Sequence, residues 1–220
     1  MLCRYSLSKE ETEDEKILLT LLSVLMIITL VGCQKNEPAQ ESETDVKEDV
    51  NEQESGEPVT EENGKSLVLY FSWSGNVDKF ANIIASETGA DIVRIEPVVP
   101  YSTDYNTVAD FAKKERDNDG RPEIKTEINI DGYDVIFVGY PIWWYTVPMI
   151  IRTLFDDFDF SGKTIIPFNS HEGSGDGGTY DLIRQLEPQA EVLEGLAIRG
   201  RDFQKDQTET VRNWLSKLDY

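Results

Sequence analysis

Three short loops hold most of the side chains in this protein that are suited to gripping a ligand. Ser72-Trp73-Ser74-Gly75-Asn76-Val77 offers two hydroxyls, an amide and a run of backbone N–H groups where a helix should begin. A helix N-terminus attracts anions through its orphan N–H groups and its dipole. No Lys or Arg lies in this loop, so an anion there would be held by neutral donors. By itself the loop is also an ordinary helix cap, although a cap needs fewer donors. Gly139-Tyr140-Pro141-Ile142-Trp143-Trp144 sets two adjacent indoles at a strand end. Aromatic residues usually serve as core or interface, but neighbours in sequence cannot both point inward, so Trp143 or Trp144 should reach a cleft or the surface. Ser170-His171-Glu172-Gly173-Ser174-Gly175 runs on into Asp176-Gly177-Gly178 and is too flexible for a plain connector. Its amides suit the polar edge of a flat ring, and His171 stands beside them in either a structural or a chemical role. A phosphate cradle, an aromatic wall and a polar edge together suit a flat, phosphorylated ligand.

The same loops exclude several anion-binding alternatives. The first lacks the Gly-x-x-x-x-Gly-Lys-Ser/Thr of a nucleotide P-loop and the Gly-x-Gly-x-x-Gly of a dinucleotide fold. A phosphatase-type loop needs a cysteine, and a phospho-acceptor site needs acidic residues after the first strand; Ser-Trp-Ser stands there instead.

Each loop follows an apolar run that reads as a buried strand: Leu67–Phe71, Tyr133–Gly139 and Lys163–Phe168. Asp91–Ile95 and Glu191–Ile198 supply two more. Between them lie helical patterns at Asn76–Thr88, stopped by Gly89, and at Asp104–Asp117. Others run over Val147–Phe155 with Thr146 as cap, Thr179–Leu186, and Lys205–Leu218. Strands without polar alternation, separated by helices, predict an α/β fold: a doubly wound parallel sheet of five strands covered on both faces. The order expected is 2-1-3-4-5, whose switch point lies between the first and third strands, where the first two loops meet.

The fold does not need the whole chain. An apolar stretch, Ile17–Leu30, is shorter than a membrane span and matches the core of a signal peptide. It ends in Leu30-Val31-Gly32-Cys33, the pattern at which a bacterial lipoprotein is cleaved and its cysteine lipidated. An ordinary signal peptide with an incidental cysteine is the alternative. The flank before it is acidic, unlike the basic start usual in signal peptides. Residues 34 to 64 hold 11 acidic residues, two lysines and no aromatic, Leu or Ile, so they cannot bury enough to offset ordering entropy. We expect a signal peptide over 1–32, a disordered acidic tether over 33–64 and one domain over 65–220, anchored by lipid on the extracytoplasmic face of a bacterial membrane. An acidic recognition tail is the alternative to a tether. Removing the 16 acidic and five basic residues before Lys65 leaves the domain 26 and 16, a net charge of −10. That charge repels nucleic acid and anionic lipid and favours basic partners. Cys3 and Cys33 both precede the domain, which excludes disulfides and thiol catalysis within it.

The three loops, in order and at these strand ends, resemble those of the flavodoxins and, more closely, of flavodoxin-like oxidoreductases. The resemblance covers about residues 66 to 218 and implies non-covalent FMN with one- or two-electron transfer. By that resemblance Ser72, Ser74, Gly75, Asn76 and Val77 would hold the phosphate, with Trp73 covering the ring or its ribityl chain. Pro141, Ile142, Trp143 and Trp144 would line one side of the ring, and Ser170, His171, Glu172, Gly173 and Gly175 its other edge. Val77 departs from the family's usual Thr, which implies one hydroxyl contact fewer. Two functions follow: electron transfer or reduction of small acceptors through FMN, with basic redox proteins as possible partners, or a binding module of the same fold that has lost its flavin.

Overall fold

The computed structural model describes residues 65–218. The expected signal peptide (1–32), tether (33–64) and Cys33 lie outside the described residues. Among those described, the segments run β1 (Ser66–Tyr70), α1 (Asn76–Thr88), β2 (Asp91–Arg94), α2 (Tyr105–Asp117), β3 (Val135–Pro141), α3 (Met149–Asp157), β4 (Thr164–His171), α4 (Thr179–Leu186), β5 (Glu191–Val192), β6 (Leu196–Arg199) and α5 (Thr208–Leu215). All strand pairs are parallel, in the order β2-β1-β3-β4-β5, with β6 also on β4. The sheet therefore has the expected order and the expected doubly wound build.

Alternation along the strands explains the two covered faces. Leu67 and Leu69 of β1, Ile136 and Val138 of β3 and Ile165 of β4 pack with Ile150, Ile151 and Leu154 of α3 and Ile183 of α4. The residues between them, Val68, Tyr70, Val135, Phe137 and Ile166, turn to the other face and meet Val77, Phe80 and Ile84 of α1 and Val211 and Trp214 of α5. A strand apolar at every position is required because each of its faces is buried. Burying a side chain such as Phe80 contributes about 2–3 kcal/mol.

Three expectations are corrected. The fifth strand is not continuous over Glu191–Ile198 but breaks into β5 and β6. The Ile165 carbonyl accepts from Leu193 N–H at 3.0 Å, so Pro167, two residues on, also turns its backbone toward this strand. Proline has no N–H to give. Gly195 crosses so near that a Cβ there would lie 2.4 Å from the Pro167 oxygen and 2.5 Å from the Tyr180 ring. Thr146 does not cap the third helix. It exchanges backbone bonds with Trp143 (3.0 and 3.1 Å), and α3 starts later, behind Pro148. The last helix begins at Thr208 rather than Lys205, because Gly200–Gln204 forms a tighter 3-10 turn first. Asp206 then accepts from the Thr208 N–H at 3.0 Å. Among the described residues, no helix is long and apolar enough to cross a membrane.

Candidate functional site

The first loop is built around a hydroxyl that faces inward. Ser72 is 3% exposed, and its Oγ accepts N–H bonds from Gly75 and Asp78, each at 3.2 Å. Gly75 precedes α1 with φ 86°, a left-handed conformation in which a side chain is strained. From β2, Arg94 donates to the Ser72 carbonyl at 2.9 Å and faces the Asp78 carboxylate at 3.5 Å. Tyr70 donates to that carboxylate at 2.7 Å; burial, then Asp78, pushes its phenol up to about 12. The loop is thus tied to β1, β2 and α1. Ser74 and Asn76 remain on the open side, beside first-turn N–H groups that no helix bond can satisfy. Val77 is 1% exposed and packed in the core. Its side chain is spent on the core, and the helix end receives from it a backbone N–H but no hydroxyl.

The second loop divides its indoles as their adjacency demands. Trp143 packs edge-on against Phe71 and Tyr101, at 5.4 and 5.1 Å between ring centres. Trp144 is 42% exposed, and its Nε1 donates to the Ala109 carbonyl of α2 at 2.8 Å. Arg116, also on α2, donates to the Trp144 carbonyl at 3.1 Å and lies 5.8 Å from the ring centre. The bond exchange between Trp143 and Thr146 leaves Trp144 (φ 51°) and Tyr145 (φ 60°) as the two central residues of a tight turn. Positive φ at both centres is the geometry that usually selects Asn-Gly. Here two aromatic residues occupy it, so the turn is strained where it meets the cleft.

The third loop is held from both ends. The Asn169 amide donates to the Gly175 carbonyl at 3.1 Å and accepts from the Tyr180 hydroxyl at 2.6 Å. Thr179 donates to the Asp176 carbonyl at 2.6 Å, which leaves Tyr140 as the donor in its 2.9 Å contact with Thr179. On the cleft side, the His171 ring accepts from Gly173 and Gly175. Where the chain turns into the 3-10 segment, a Cβ on Gly200 would lie 2.2 Å from the Glu172 carboxylate and 2.7 Å from the Asn76 amide. A Cβ there would push both side-chain ends aside, so Gly200 leaves room for Glu172 of the third loop and Asn76 of the first to meet at this point.

The loops converge on one cleft of about 590 Å³. Trp73, Ser74 and Asn76 line it from the first loop, Pro141, Ile142, Trp143 and Trp144 from the second, and Ser170, His171, Glu172 and Gly173 from the third. Ser72, Gly75, Val77 and Gly175 shape the loops from behind rather than lining the space. Sequence reasoning missed the fourth wall, which is α2. Its apolar residues Val108, Ala109 and Ala112, with Tyr105, face the cleft. Only Val108 and Ala112 of this helix are buried, and that sparse stripe is the signal that could have identified it. Trp73 is fixed on the same side, donating to the Ser102 carbonyl at 2.8 Å with its ring 6.2 Å from that of Tyr105. The space therefore joins a neutral anion cradle to a slot walled by aromatic rings. It suits a ligand that is anionic at one end and planar at the other.

The comparisons agree with this geometry. A solved structure of a candidate flavoprotein from Bacteroides eggerthii is 33% identical, covering 70% of this chain and 97% of that one, with a TM-score of 0.62. Another, from Bacteroides uniformis, is 29% identical over 70% and 98%, with a TM-score of 0.63. A flavoprotein from Lactobacillus acidophilus, solved in complex with FMN, shares the fold at 24% identity over 64% and 97%, with a TM-score of 0.55. No curated protein matches the chain. The flavodoxin family model matches residues 65–218, from the residue before β1 to the end of the described chain, and the protein belongs to the flavodoxin family.

Proposed function

We propose that this protein binds FMN in the cleft and carries electrons, or reduces small acceptors, as a lipoprotein tethered to the outer face of a bacterial membrane. One observation carries the flavin reading: a helix-end cradle of neutral donors opens directly into an aromatic-walled slot of about 590 Å³. Family membership and the FMN complex of the Lactobacillus acidophilus relative support the same ligand.

The residues present fit the group. Ser74, Asn76 and the first N–H groups of α1 would hold the phosphate, and the dipole of α1 would favour its charge. Trp73, Tyr105 and the 141–145 segment would flank the ring and keep water from its faces. His171, Gly173 and Ser174 would border its polar edge. FMN supplies one- and two-electron redox chemistry when bound; the protein supplies the fixed, partly dry setting. The net charge of −10 favours basic redox partners or small acceptors. The lipobox-like Leu30-Val31-Gly32-Cys33 and the acidic segment after it support the anchor and tether.

The deciding measurement is an absorbance spectrum of purified protein, followed by titration with FMN and with riboflavin. A flavin spectrum, with FMN held more tightly than riboflavin, is expected. Colourless protein that takes up neither would overturn the flavin reading and leave a flavin-free binding module.

A further inference from the structure

A single imidazole shapes the glycine-rich edge of the cleft. The Nδ1 of His171 accepts from the Gly173 N–H at 2.9 Å and from the Gly175 N–H at 3.1 Å. A ring nitrogen that accepts carries no hydrogen, so the neutral ring keeps its hydrogen on Nε2. β4 ends at His171, and both glycines adopt positive φ, 143° and 64°. Beyond the end of the strand, the imidazole supplies the acceptor for these two N–H groups. Adding a proton to Nδ1 would set a third donor against the two N–H groups, and both bonds would be lost at once.

The charged groups that face this ring come from three elements. Arg199 is its register partner on β6; Glu172 and Asp176 lie in the loop; Asp202 lies in the 3-10 turn. Burial and Arg199 oppose a charged ring, the three carboxylates favour it, and the balance holds His171 below the ordinary histidine value. The contribution of the two bonds is therefore present at neutral pH and lost as pH falls through the ring's titration.

We infer that His171 is a positioning residue: its neutral, Nε2-protonated ring latches Gly173 and Gly175 into the shape that closes the cleft edge, and protonation releases that edge and the ligand with it. The ligand half of this rests on the FMN reading; the latch itself does not.

The chain has one histidine, so its ring nitrogens give an unambiguous NMR signal. In ¹⁵N-labelled protein as purified, Nδ1 should be unprotonated at about pH 8, and the Gly173 and Gly175 amides should shift with the same midpoint as the ring. His171→Asn places an acceptor oxygen near the Nδ1 position without a titration. It should keep both amide positions and bind FMN several-fold more tightly than His171→Ala does. His171→Ala should lose both amide positions and bind about tenfold more weakly than wild type, the equivalent of about one net hydrogen bond. Between about pH 8 and pH 4.5, wild type should lose about tenfold more affinity than His171→Asn, the variant correcting for titration of the phosphate itself. The latch is overturned by a protonated Nδ1 at about pH 8, by glycine amides that ignore the ring's titration, or by Asn and Ala variants that bind FMN alike. If no form of the protein binds FMN, the flavin reading fails and the NMR result alone decides the latch.

Discussion

The turn at Trp144-Tyr145 permits a test in which a smaller residue should be worse than none. Tyr145 is 76% exposed and sits at φ 60° in the second central position of the turn. Tyr145→Ala and Tyr145→Gly both remove the ring and forfeit the same slight burial. They differ in that alanine keeps the left-handed strain, about 1–2 kcal/mol, while glycine relieves it. Glycine gives back about 0.5–1 kcal/mol in unfolded-state entropy. The difference leaves the glycine variant about 0.5–1 kcal/mol more stable than the alanine variant, or about 2–3 °C in Tm for a domain of this size. Urea denaturation of ligand-free protein reads this directly, with equal m-values required for the comparison. Both variants should lose about the same FMN affinity, roughly threefold to tenfold, if the ring flanks the ligand. An alanine variant as stable as the glycine variant would show that the turn carries no strain and would refute the reasoning. FMN titration decides separately whether the ring touches the ligand.

Three further outcomes follow from other parts of the chain. Gly75→Asp adds a negative charge beside the cradle; its Cβ meets open space but the left-handed φ of 86° strains it by about 1–2 kcal/mol, so the domain should be less stable yet still folded by circular dichroism while FMN binding is lost. Burial, then Asp159 and Asp156, raises the carboxyl of Glu187 to about 7. Its stabilising proton is fully held below pH 4.5 and lost as pH rises through 7, so stability should decline across that window, and Glu187→Gln should flatten the decline. Cys33→Ala should leave the protein unprocessed or free it from membranes in cell fractions; normal processing with unchanged membrane retention would remove the case for a lipid anchor.

Much of this fold was legible because its sheet is buried on both faces. Runs such as Leu67–Phe71 admit no other placement, and loops at their C-terminal ends fall beside one another once the strand order is fixed. What stayed hidden depended on contacts between distant segments. An amphipathic stripe on 105–117 announces a helix but not that its buried side faces a cleft. Arg94 reads as a strand residue, and only pairing of β2 with β1 brings it to the Ser72 carbonyl. The tight turn escaped notice because Trp-Tyr is the opposite of the Asn-Gly that such turns usually require. The break in the fifth strand was written partly in Pro167, but its meaning appears only when the register sets that residue opposite Gly195. His171 gave no hint of its accepting role, since which ring nitrogen points at which amide is a matter of loop shape.

That broken strand also bears on how such chains behave beside one another. Any open sheet ends in rows of unpaired backbone groups that another chain can extend. On one side, the backbone that follows β2 is already occupied: Pro97 bridges Ile124, and Thr126 bonds both the Arg94 carbonyl and the Glu96 N–H. On the other side, β5 ends after two residues and β6 resumes only at Leu196. A neighbour arriving there finds no continuous ladder to join. Were the domain held at a surface by the proposed tether, it would be concentrated into two dimensions, where sideways collisions are frequent. Under those conditions, a proline that interrupts an outer strand also keeps one molecule from templating the next.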